Sequence, residues 1–257
     1  MSYQVDCDPV IDVAPFGVVV GRFGDTAVLQ ANAAWADLRR EAFAEALVAV
    51  AGVATVVLNG TGRARALEGL PEETLVLRGT APDQIAVPMN GATYMADVMG
   101  GQKTGLFFDQ RDNHAFAARL AAGASVLDVF SHVGGFGLAA LAAGAASALA
   151  VDGSAGALAL AAEGAARMGA AERFATRRGD AFDTLAALDA EGARFGLVVC
   201  DPPAFAPSKQ ALEAGLRAYE KVARLAAPLV APGGFLVLCS CSHAADLGRF
   251  RLACTRG

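Results

Sequence analysis

Residues Ser125 to Asp152 read SVLDVFSHVGGFGLAALAAGAASALAVD, and this stretch decides the fold of the second half of the chain. It opens with an apolar run that ends at Phe130, and a turn of small residues continues to Gly137. An Ala/Leu segment of helical length follows, and a second apolar run stops at Asp152. The order strand, glycine-rich loop, helix, strand and acid is typical of a nucleotide-binding βαβ unit.

Two glycines and one acid give this stretch its chemistry. Gly134 and Gly135 would let a ligand come close to the backbone at the N-terminus of the helix. Asp152 lies 17 positions after Gly135, where an acid would hold the hydroxyl groups of a ribose. The dinucleotide spacing G-x-G-x-x-G and the P-loop spacing are both absent. The stretch therefore favours S-adenosylmethionine (SAM), and a βα turn of some other α/β enzyme is the alternative.

Composition excludes several classes of protein. With 54% hydrophobic and 18% charged residues, the 257-residue chain is not a disordered polypeptide. The mean hydropathy of +0.41 raises the question of a membrane span. The uncharged window Val133 to Val151 consists largely of Ala, Gly and Ser, so it predicts loop, helix and strand instead. Asp6, Asp8 and Asp12 interrupt any signal peptide, and we expect a cytoplasmic protein without membrane contact.

The cysteine and histidine positions and the net charge indicate which ligands and partners the chain could bind. The five cysteines form no C-x-x-C pair and the three histidines are scattered, so we expect neither a metal site nor a disulfide framework. A net charge of −5 argues against a protein that coats nucleic acid, although a local basic face could still bind RNA. Phosphate contacts are predicted for the basic residues Lys103, Arg111, Lys209, Arg217 and Lys221, of which Arg217 and Lys221 could equally form a solvated helix face.

The remaining pattern predicts two domains after an N-terminal extension over residues 1–11. Residues 12–100 read as a small α+β domain: a hairpin around Gly21 to Asp25, a helix over 31–51 and further short strands. From 101 to 257, strands and helices alternate, which predicts a parallel sheet. Ligands of such a sheet gather at the carboxyl ends of its strands.

Two further motifs stand at those strand ends. In Asp201-Pro202-Pro203-Ala204-Phe205, the prolines would fix an acid beside an aromatic ring, which suits an enzyme that holds a nucleobase; a rigid turn with a capping acid is the alternative. In Ser240-Cys241-Ser242, Cys241 is a candidate nucleophile. Cys200 and Cys239 lie inside apolar runs and are predicted to be core residues.

Five motifs in order carry a family resemblance: GGQKTGLFFDQRDNH, DVFSHVGGFG, VDGS, DPPAF and SCS. Together they resemble the class I SAM-dependent methyltransferases of the bacterial 23S rRNA cytosine-5 methyltransferase family. The resemblance covers roughly residues 12 to 250. It implies an α/β fold in which a Rossmann-like methyltransferase sheet follows the small α+β domain. It also implies SAM as the cofactor and 23S ribosomal RNA as the partner, and it leaves a homodimer open.

The resemblance also implies roles for individual residues. Cys241 would be the nucleophile, and Asp201 would face both the methyl group and the target base. The implied cofactor contacts are Gln110, Arg111, Phe130, Ser131, Gly134, Gly135, Phe136, Asp152, Asp180 and Asp201. The implied substrate contacts are Pro203, Phe205 and Lys209.

The chain departs from the family pattern in three places. The usual N-terminal PUA domain is absent, the expected C-terminal strands are missing after a helix that reaches Gly257, and Ala204 stands where some cytosine-5 enzymes carry a second cysteine. An incomplete sheet would leave an unprotected edge. Two rival functions therefore stay open at this point. One is a guanine-methylating rRNA enzyme without a covalent adduct, and the other is a catalytically dead RNA-binding protein with a SAM-fold shell.

Overall fold

The computed structural model describes residues 11–13, 17–100 and 106–257. Residues 1–10 of the predicted extension, and Lys103 with its neighbours 101–105, lie outside the described residues. The chain divides into two compact units. The first runs up to Met89 and again from Met95 to Arg111, and the second comprises Asn90–Tyr94 and Asp112–Gly257. Among the described helices, none is long and apolar enough to cross a membrane.

The first unit is built on a five-stranded sheet in the order β1-β2-β3-β4-β5. The predicted hairpin forms by antiparallel pairing of β2 with β3, while β3 and β4 run parallel. Val, Ala and Leu side chains of β2, β3 and β4 form its core. The bounds of the elements are β1 (Ile11–Val13), β2 (Val18–Phe23), β3 (Thr26–Ala31), α1 (Ala34–Asp37), α2 (Arg40–Ala51), β4 (Thr55–Gly60), α3 (Arg63–Leu67) and β5 (Glu73–Arg78).

The helix predicted over residues 31–51 is two helices, α1 and α2, separated at Leu38 and Arg39. The carboxylate of Asp37, the last residue of α1, accepts a hydrogen bond of 2.8 Å from Nη1 of Arg65. Arg65 is completely buried, and a buried guanidinium needs such partners. The pairing stabilises the end of α1. Helical periodicity could not show it, because Arg65 lies 28 positions further along the chain.

A two-stranded sheet of β6 (Ile85–Met89) and β7 (Ala92–Ala96) comes next in the chain. It is followed by a 3-10 turn over Phe108–Gln110 and by α4 (Arg111–Ala118).

The second unit has a five-stranded sheet in the order β10-β9-β8-β11-β12, and all four pairings are parallel. This confirms the predicted α/β sheet. Its elements are β8 (Ser125–Val129), α5 (Gly135–Ala142), β9 (Ser147–Asp152), α6 (Ala155–Arg167), β10 (Phe174–Arg178), α7 (Ala181–Ala190), β11 (Phe195–Cys200), α8 (Leu212–Ala226), β12 (Val230–Leu238) and α9 (Leu247–Arg256).

The ends of two helices agree with local chemistry. Ser154 caps α6 as predicted, since its side chain accepts a hydrogen bond from the Ala157 amide at 3.2 Å. The helix predicted over residues 212–230 stops four residues early, at Ala226. A 3-10 turn containing Pro228 follows it; proline cannot donate the backbone bond that would continue an α-helix.

The strand order places the ligand edge of the second unit. The order of the strands reverses at β8. From β8 the chain adds β9 and β10 on one side of the sheet, and it then adds β11 and β12 on the other side. In open parallel sheets, the crevice at such a reversal, outside the carboxyl ends of the strands, is where ligands bind. The loops after β8 and β11 flank this crevice.

Candidate functional site

The loop after β8 has a strained backbone. Phe130 and His132 have φ angles of 62° and 49°, in the left-handed region that residues with a side chain rarely adopt. Gly134 has a φ of 82°. The Ser131 amide ties the loop to β9 through a 3.0 Å bond to the carbonyl of Val151. Such strain, at about 1–3 kcal/mol per residue, clusters at ligand sites, where the surroundings hold it in place.

Asp152 fastens this loop to the edge of the sheet. Its Oδ2 accepts a hydrogen bond from the His132 amide at 2.9 Å, and its Oδ1 accepts one from the Ser154 amide at 2.8 Å. Its side chain is partly exposed. Each carboxylate oxygen has a second lone pair, so the group can still accept bonds from a diol. The cofactor contact implied for Asp152 therefore stays a prediction that this geometry permits.

Asp128 is a site residue that the sequence reasoning missed. It is completely buried on β8, and its Oδ2 accepts a bond from the Gly137 amide at 2.8 Å. Burial, together with the smaller effect of the charges of Asp201 and Asp152, raises its pKa from 3.8 to about 7, although the bond from the Gly137 amide lowers it. Its signal was visible as an acid inside an apolar run, Val126-Leu127-Asp128-Val129, at a position where an apolar residue is expected.

Two buried polar atoms beside the loop test its fit to SAM. Within the described residues, Oδ1 of Asp128 and Oγ of Ser131 have no hydrogen-bond partner. Buried polar groups without a partner are rare in folded proteins, and a polar ligand is one group that satisfies them. The nearby acids Asp152 and Asp201 suit a ligand that carries positive charge, as the sulfonium and ammonium groups of SAM do. The residues present therefore fit the cofactor.

Replacement of Asp128 by asparagine is expected to remove a pH dependence of folding stability. The raised pKa means that the folded state holds this proton more tightly than the unfolded state. The resulting stabilisation is complete below pH 3.8 and is lost as the pH rises through about 7. Urea unfolding at pH 5 and pH 8 should show the parent losing roughly 3 kcal/mol relative to Asp128→Asn. The exposed variant Asp189→Asn is the control, and parallel profiles for Asp128→Asn and the parent would refute the assignment.

The two loop glycines have different structural roles. Gly134 adopts the left-handed conformation at the N-cap of α5. A Cβ at Gly135 would lie 2.7 Å from Nε2 of His114, so packing within the protein requires this glycine. His114 is buried, and burial lowers its pKa to about 4. Phe136 is also buried, and its ring meets His114 edge-on at 4.5 Å. Cofactor contacts of Gly135 and Phe136 stay predictions beside these packing roles.

Asp180 caps α7 at the end of β10. Its Oδ1 accepts hydrogen bonds from the amides of Phe182 at 2.9 Å and Asp183 at 3.1 Å. The side chain is exposed. A capping role is compatible with the implied adenine contact, which stays a prediction.

Gln110 and Arg111 belong to the first unit. Gln110 ends the 3-10 turn and Arg111 begins α4. The cofactor contacts implied for these two residues also stay predictions.

The second loop, after β11, carries the acid and the aromatic ring. The Asp201 amide donates to the carbonyl of Val129 at 3.2 Å, so this loop begins beside the loop of β8. Pro202 is buried and Pro203 is exposed. The ring of Phe205 is half-buried in an aromatic cluster, with centroid distances of 5.0 Å to Tyr219, 6.1 Å to Phe182 and 6.2 Å to Phe130. The loop thus holds the Phe205 ring in an aromatic cluster, and the placement of the Asp201 carboxylate beside that ring stays a prediction.

Gly215 lets this loop lie against α8. A Cβ at this position would be 2.7 Å from both the carbonyl oxygen of Phe205 and the Cβ of Ala206. Gly215→Ala is therefore expected to displace the loop or to destabilise the fold by about 1–3 kcal/mol. The matched control is Gly156→Ala in α6, where the atom nearest to an added Cβ is Oγ of Ser154 at 4.0 Å. This variant should be more stable by up to about 1 kcal/mol. Thermal unfolding measures both, and equal shifts would contradict the packing argument.

Cys241 differs from the other described cysteines. It is exposed, and its Sγ donates to the carbonyl of Pro202 at 3.9 Å. Cys200 is completely buried, and burial raises the pKa of its thiol. Burial also raises the pKa of Cys239 to about 12 and of Cys254 to about 11. Since the thiolate is the nucleophile, these three are inert by comparison. The predicted core positions of Cys200 and Cys239 agree with their surroundings.

Three of the five predicted basic contacts lie along one stretch of the second unit. Lys209 is exposed in a 3-10 turn before α8, and Arg217 is exposed on α8. The ammonium group of Lys221 lies over the ring of Phe182, 4.5 Å from its centroid. A cation on an aromatic face gains a modest electrostatic attraction. The phosphate contacts of these three residues stay predictions.

The second unit is a parallel sheet whose strand order reverses at β8. At that point lie a strained loop, the acid Asp152 that holds it, and two buried polar atoms without a partner among the described residues. These features are those of a Rossmann-like fold that binds a nucleotide-type ligand. The family model described as S-adenosylmethionine-dependent methyltransferase matches residues 34–253. The chain therefore belongs to the SAM-dependent methyltransferase family. This confirms SAM as the predicted cofactor at the level of the family.

Similar proteins agree with the family. The chain is 34% identical over 237 residues to ribosomal RNA large subunit methyltransferase I of Aeromonas salmonicida, covering 91% of this chain and 60% of that protein. It is 37% identical over 228 residues to the protein of the same name from Shewanella amazonensis, covering 88% and 58%. The chain thus spans about three-fifths of the length of these relatives.

Solved structures support the fold. A protein of Streptococcus mutans assigned to the SAM-dependent methyltransferases superposes with a TM-score of 0.78 at 22% identity, covering 94% of this chain and 61% of that one. The SAM-dependent methyltransferase from Agrobacterium tumefaciens superposes with a TM-score of 0.69 at 18% identity, covering 93% and 75%. At these identities the likeness concerns the fold, and it confirms the Rossmann-like class.

Proposed function

We propose that this chain carries the methyl-transfer site of a SAM-dependent enzyme that acts on ribosomal RNA, and that its target is C5 of a cytosine in 23S rRNA. The relatives named above are large-subunit rRNA methyltransferases, which supports the RNA class of substrate. One observation carries the finer proposal. The exposed thiol of Cys241 lies 3.9 Å from the carbonyl of Pro202, so the candidate nucleophile is adjacent to the loop of Asp201 and Phe205.

The residues that would hold the cofactor follow from the first loop. Asp152 would accept bonds from the ribose, and Asp128 with Ser131 would face its polar groups through their partnerless oxygens. The remaining cofactor contacts are proposed for Gln110, Arg111, Phe130, Gly134, Gly135, Phe136 and Asp180. When bound, SAM supplies the electrophilic methyl group.

The proposed chemistry begins at Cys241. Its thiolate adds to C6 of the cytosine, so the S–C6 bond forms while the C5–C6 π electrons become available at C5. Asp201 hydrogen-bonds the ring on its N3 side and thereby stabilises the charge that develops there. C5 would then take the methyl group as the bond between that group and the SAM sulfur breaks, and S-adenosylhomocysteine would be the leaving group. A base, for which a water held by Asp201 is our candidate, then removes the C5 proton. The C5–C6 double bond re-forms and the thiolate leaves.

The target base needs a place beside these groups. Pro203 is exposed on the Asp201 loop, and Phe205 offers a partly exposed aromatic ring four positions after the acid on the same loop. We assign both to base binding, and we assign Lys209 to a phosphate contact because it is exposed shortly after the same loop. Enzymes that modify a base draw it out of the RNA stack into such a pocket.

Label transfer tests the proposal directly. The purified chain is incubated with methyl-labelled SAM and unmodified bacterial rRNA, and the RNA is digested to nucleosides. Label in 5-methylcytidine is the expected result. Label in a guanosine would refute the cytosine target. An absence of label, from a chain that binds SAM by calorimetry, would refute methyl transfer by this chain alone.

A further inference from the structure

Tyr219 joins the two loops that carry the proposed chemistry. It lies on α8 and only 2% of its surface is exposed. Its hydroxyl oxygen accepts a bond from Oγ of Ser240 at 2.8 Å and shares a second bond with Oγ of Ser242 at 2.7 Å. The two serines are the residues on either side of Cys241. One buried hydroxyl therefore holds both flanks of the candidate nucleophile.

The same network reaches the loop of Asp201. Oγ of Ser242 also accepts a bond of 2.9 Å from the amide of Ala206, which follows Phe205. The ring of Tyr219 packs against Phe205 at a centroid distance of 5.0 Å. The ring of Tyr219 thus contacts the segment that follows the two prolines directly, and its hydroxyl reaches that segment through Oγ of Ser242. The network links the acid-bearing loop to the cysteine-bearing loop through one side chain.

The rest of the surroundings keep this side chain in place. Phe250 of α9 meets the Tyr219 ring edge-on, with centroids 5.0 Å apart. The Ser242 amide closes the turn by donating to Oγ of Ser240 at 3.3 Å. Because the hydroxyl is buried and bonded twice, shifting either serine would remove one of its two hydrogen bonds inside the protein, where water does not replace it. The turn that carries Cys241 is therefore held in one arrangement.

We propose that Tyr219 is a positioning residue, whose hydroxyl sets the place of Cys241 relative to the Asp201–Phe205 loop. It acts through the two serines and touches neither substrate nor cofactor. The expected effect on the rate of methyl transfer rests on the proposed function. The expected effect on the reactivity of the Cys241 thiol rests on the hydrogen-bond network alone. Small misplacements of a reacting group cause large losses of rate, which is why such a device matters.

Tyr219→Phe tests the inference, since it removes the hydroxyl and keeps the ring contacts. The matched control is Tyr94→Phe, which removes another buried hydroxyl of the second unit, one that donates to the carbonyl of Gly135 at 3.0 Å. Three quantities are measured in both variants: the iodoacetamide alkylation rate of Cys241 by peptide mass spectrometry, the rate of methyl transfer to rRNA, and the Kd for SAM by calorimetry.

We expect Tyr219→Phe to change the alkylation rate of Cys241 at least threefold and to lower methyl transfer about 10- to 100-fold, with the Kd for SAM changed less than twofold. Tyr94→Phe should leave the alkylation rate within twofold of the parent. An unchanged alkylation rate in Tyr219→Phe would overturn the inference, whatever happens to thermal stability.

Two further results separate this inference from the proposed function. If the parent transfers no methyl group but Tyr219→Phe alters thiol reactivity, the positioning role stands and the proposed function falls. If Tyr219→Phe does not fold, Ser240→Ala replaces it, because Ser240 is exposed and its substitution removes the bond to the Tyr219 hydroxyl. Unchanged reactivity in that variant overturns the inference as well.

Discussion

Replacement of Cys241 by alanine is expected to lower methyl transfer to rRNA by at least ~10³-fold, the scale on which removal of a covalent nucleophile acts. The S–C6 bond of the proposed adduct cannot form without the thiol, so C5 never becomes nucleophilic. SAM binding should be retained within twofold, because the proposed cofactor contacts lie mainly on the loop after β8 and Cys241 lies after β12. Labelled SAM with rRNA measures the first quantity, and calorimetry measures the second.

The controls for Cys241→Ala come from the chain itself. Cys254 is a partly buried thiol on α9, and Cys254→Ala should retain transfer and differ only in stability. Ribosomal RNA transcribed with 5-fluorocytidine should trap a covalent complex with the parent and with Cys254→Ala. The same RNA should trap none with Cys241→Ala. Near-parental turnover in Cys241→Ala would disprove the covalent mechanism.

Replacement of Asp152 by alanine is expected to weaken SAM binding about 100-fold or more. Two effects add in this variant. The two hydrogen bonds that the carboxylate accepts from the amides of His132 and Ser154 are lost. Their loss releases the strained loop. The charge-assisted bonds proposed between Asp152 and the ribose hydroxyls, at about 1.5–3 kcal/mol each, would be lost as well. Calorimetric titration with SAM measures the result.

The control for Asp152→Ala is Asp189→Ala, which removes an exposed acid that pairs with Arg194 near the far end of α7. It should leave the Kd for SAM unchanged, since surface pairs contribute little even to stability. A Kd for Asp152→Ala within threefold of the parent would show that the carboxylate does not hold the cofactor. The implied role of Asp152 would then reduce to fastening the loop.

Much of the second unit could be predicted because its information is local. Most strands from β8 to β12 contain short apolar runs, and turn residues separate them from the helices between them, so periodicity finds them. Ser154 was predicted as a cap from its type and position, and its side chain makes that bond. The early end of α8 shows the limit of this reasoning. The apolar pattern continues to Val230, but Pro228 lies in a 3-10 turn that periodicity does not register.

In the first unit, the same approach failed where a distant residue intervened. The break between α1 and α2 coincides with the ion pair of Asp37 and the buried Arg65, which are far apart in the sequence. Leu38 shares the helical spacing of the apolar residues around it, yet 87% of its side chain is exposed at that break. A hydrophobic pattern predicts which residues could be buried, and the tertiary contacts select among them.

The candidate site divides in the same way. The sequence by itself predicted a SAM-dependent methyltransferase, the order of the strand-end motifs and Cys241 as the candidate nucleophile, because these depend on residue types next to one another along the chain. Only the tertiary structure decided that Asp128 is buried with a raised pKa, that Gly135 is required by His114, and that Tyr219 joins two loops. The physical reason is that burial and hydrogen bonding are properties of neighbours in space, and the parallel sheet brings together strand ends that are scores of residues apart.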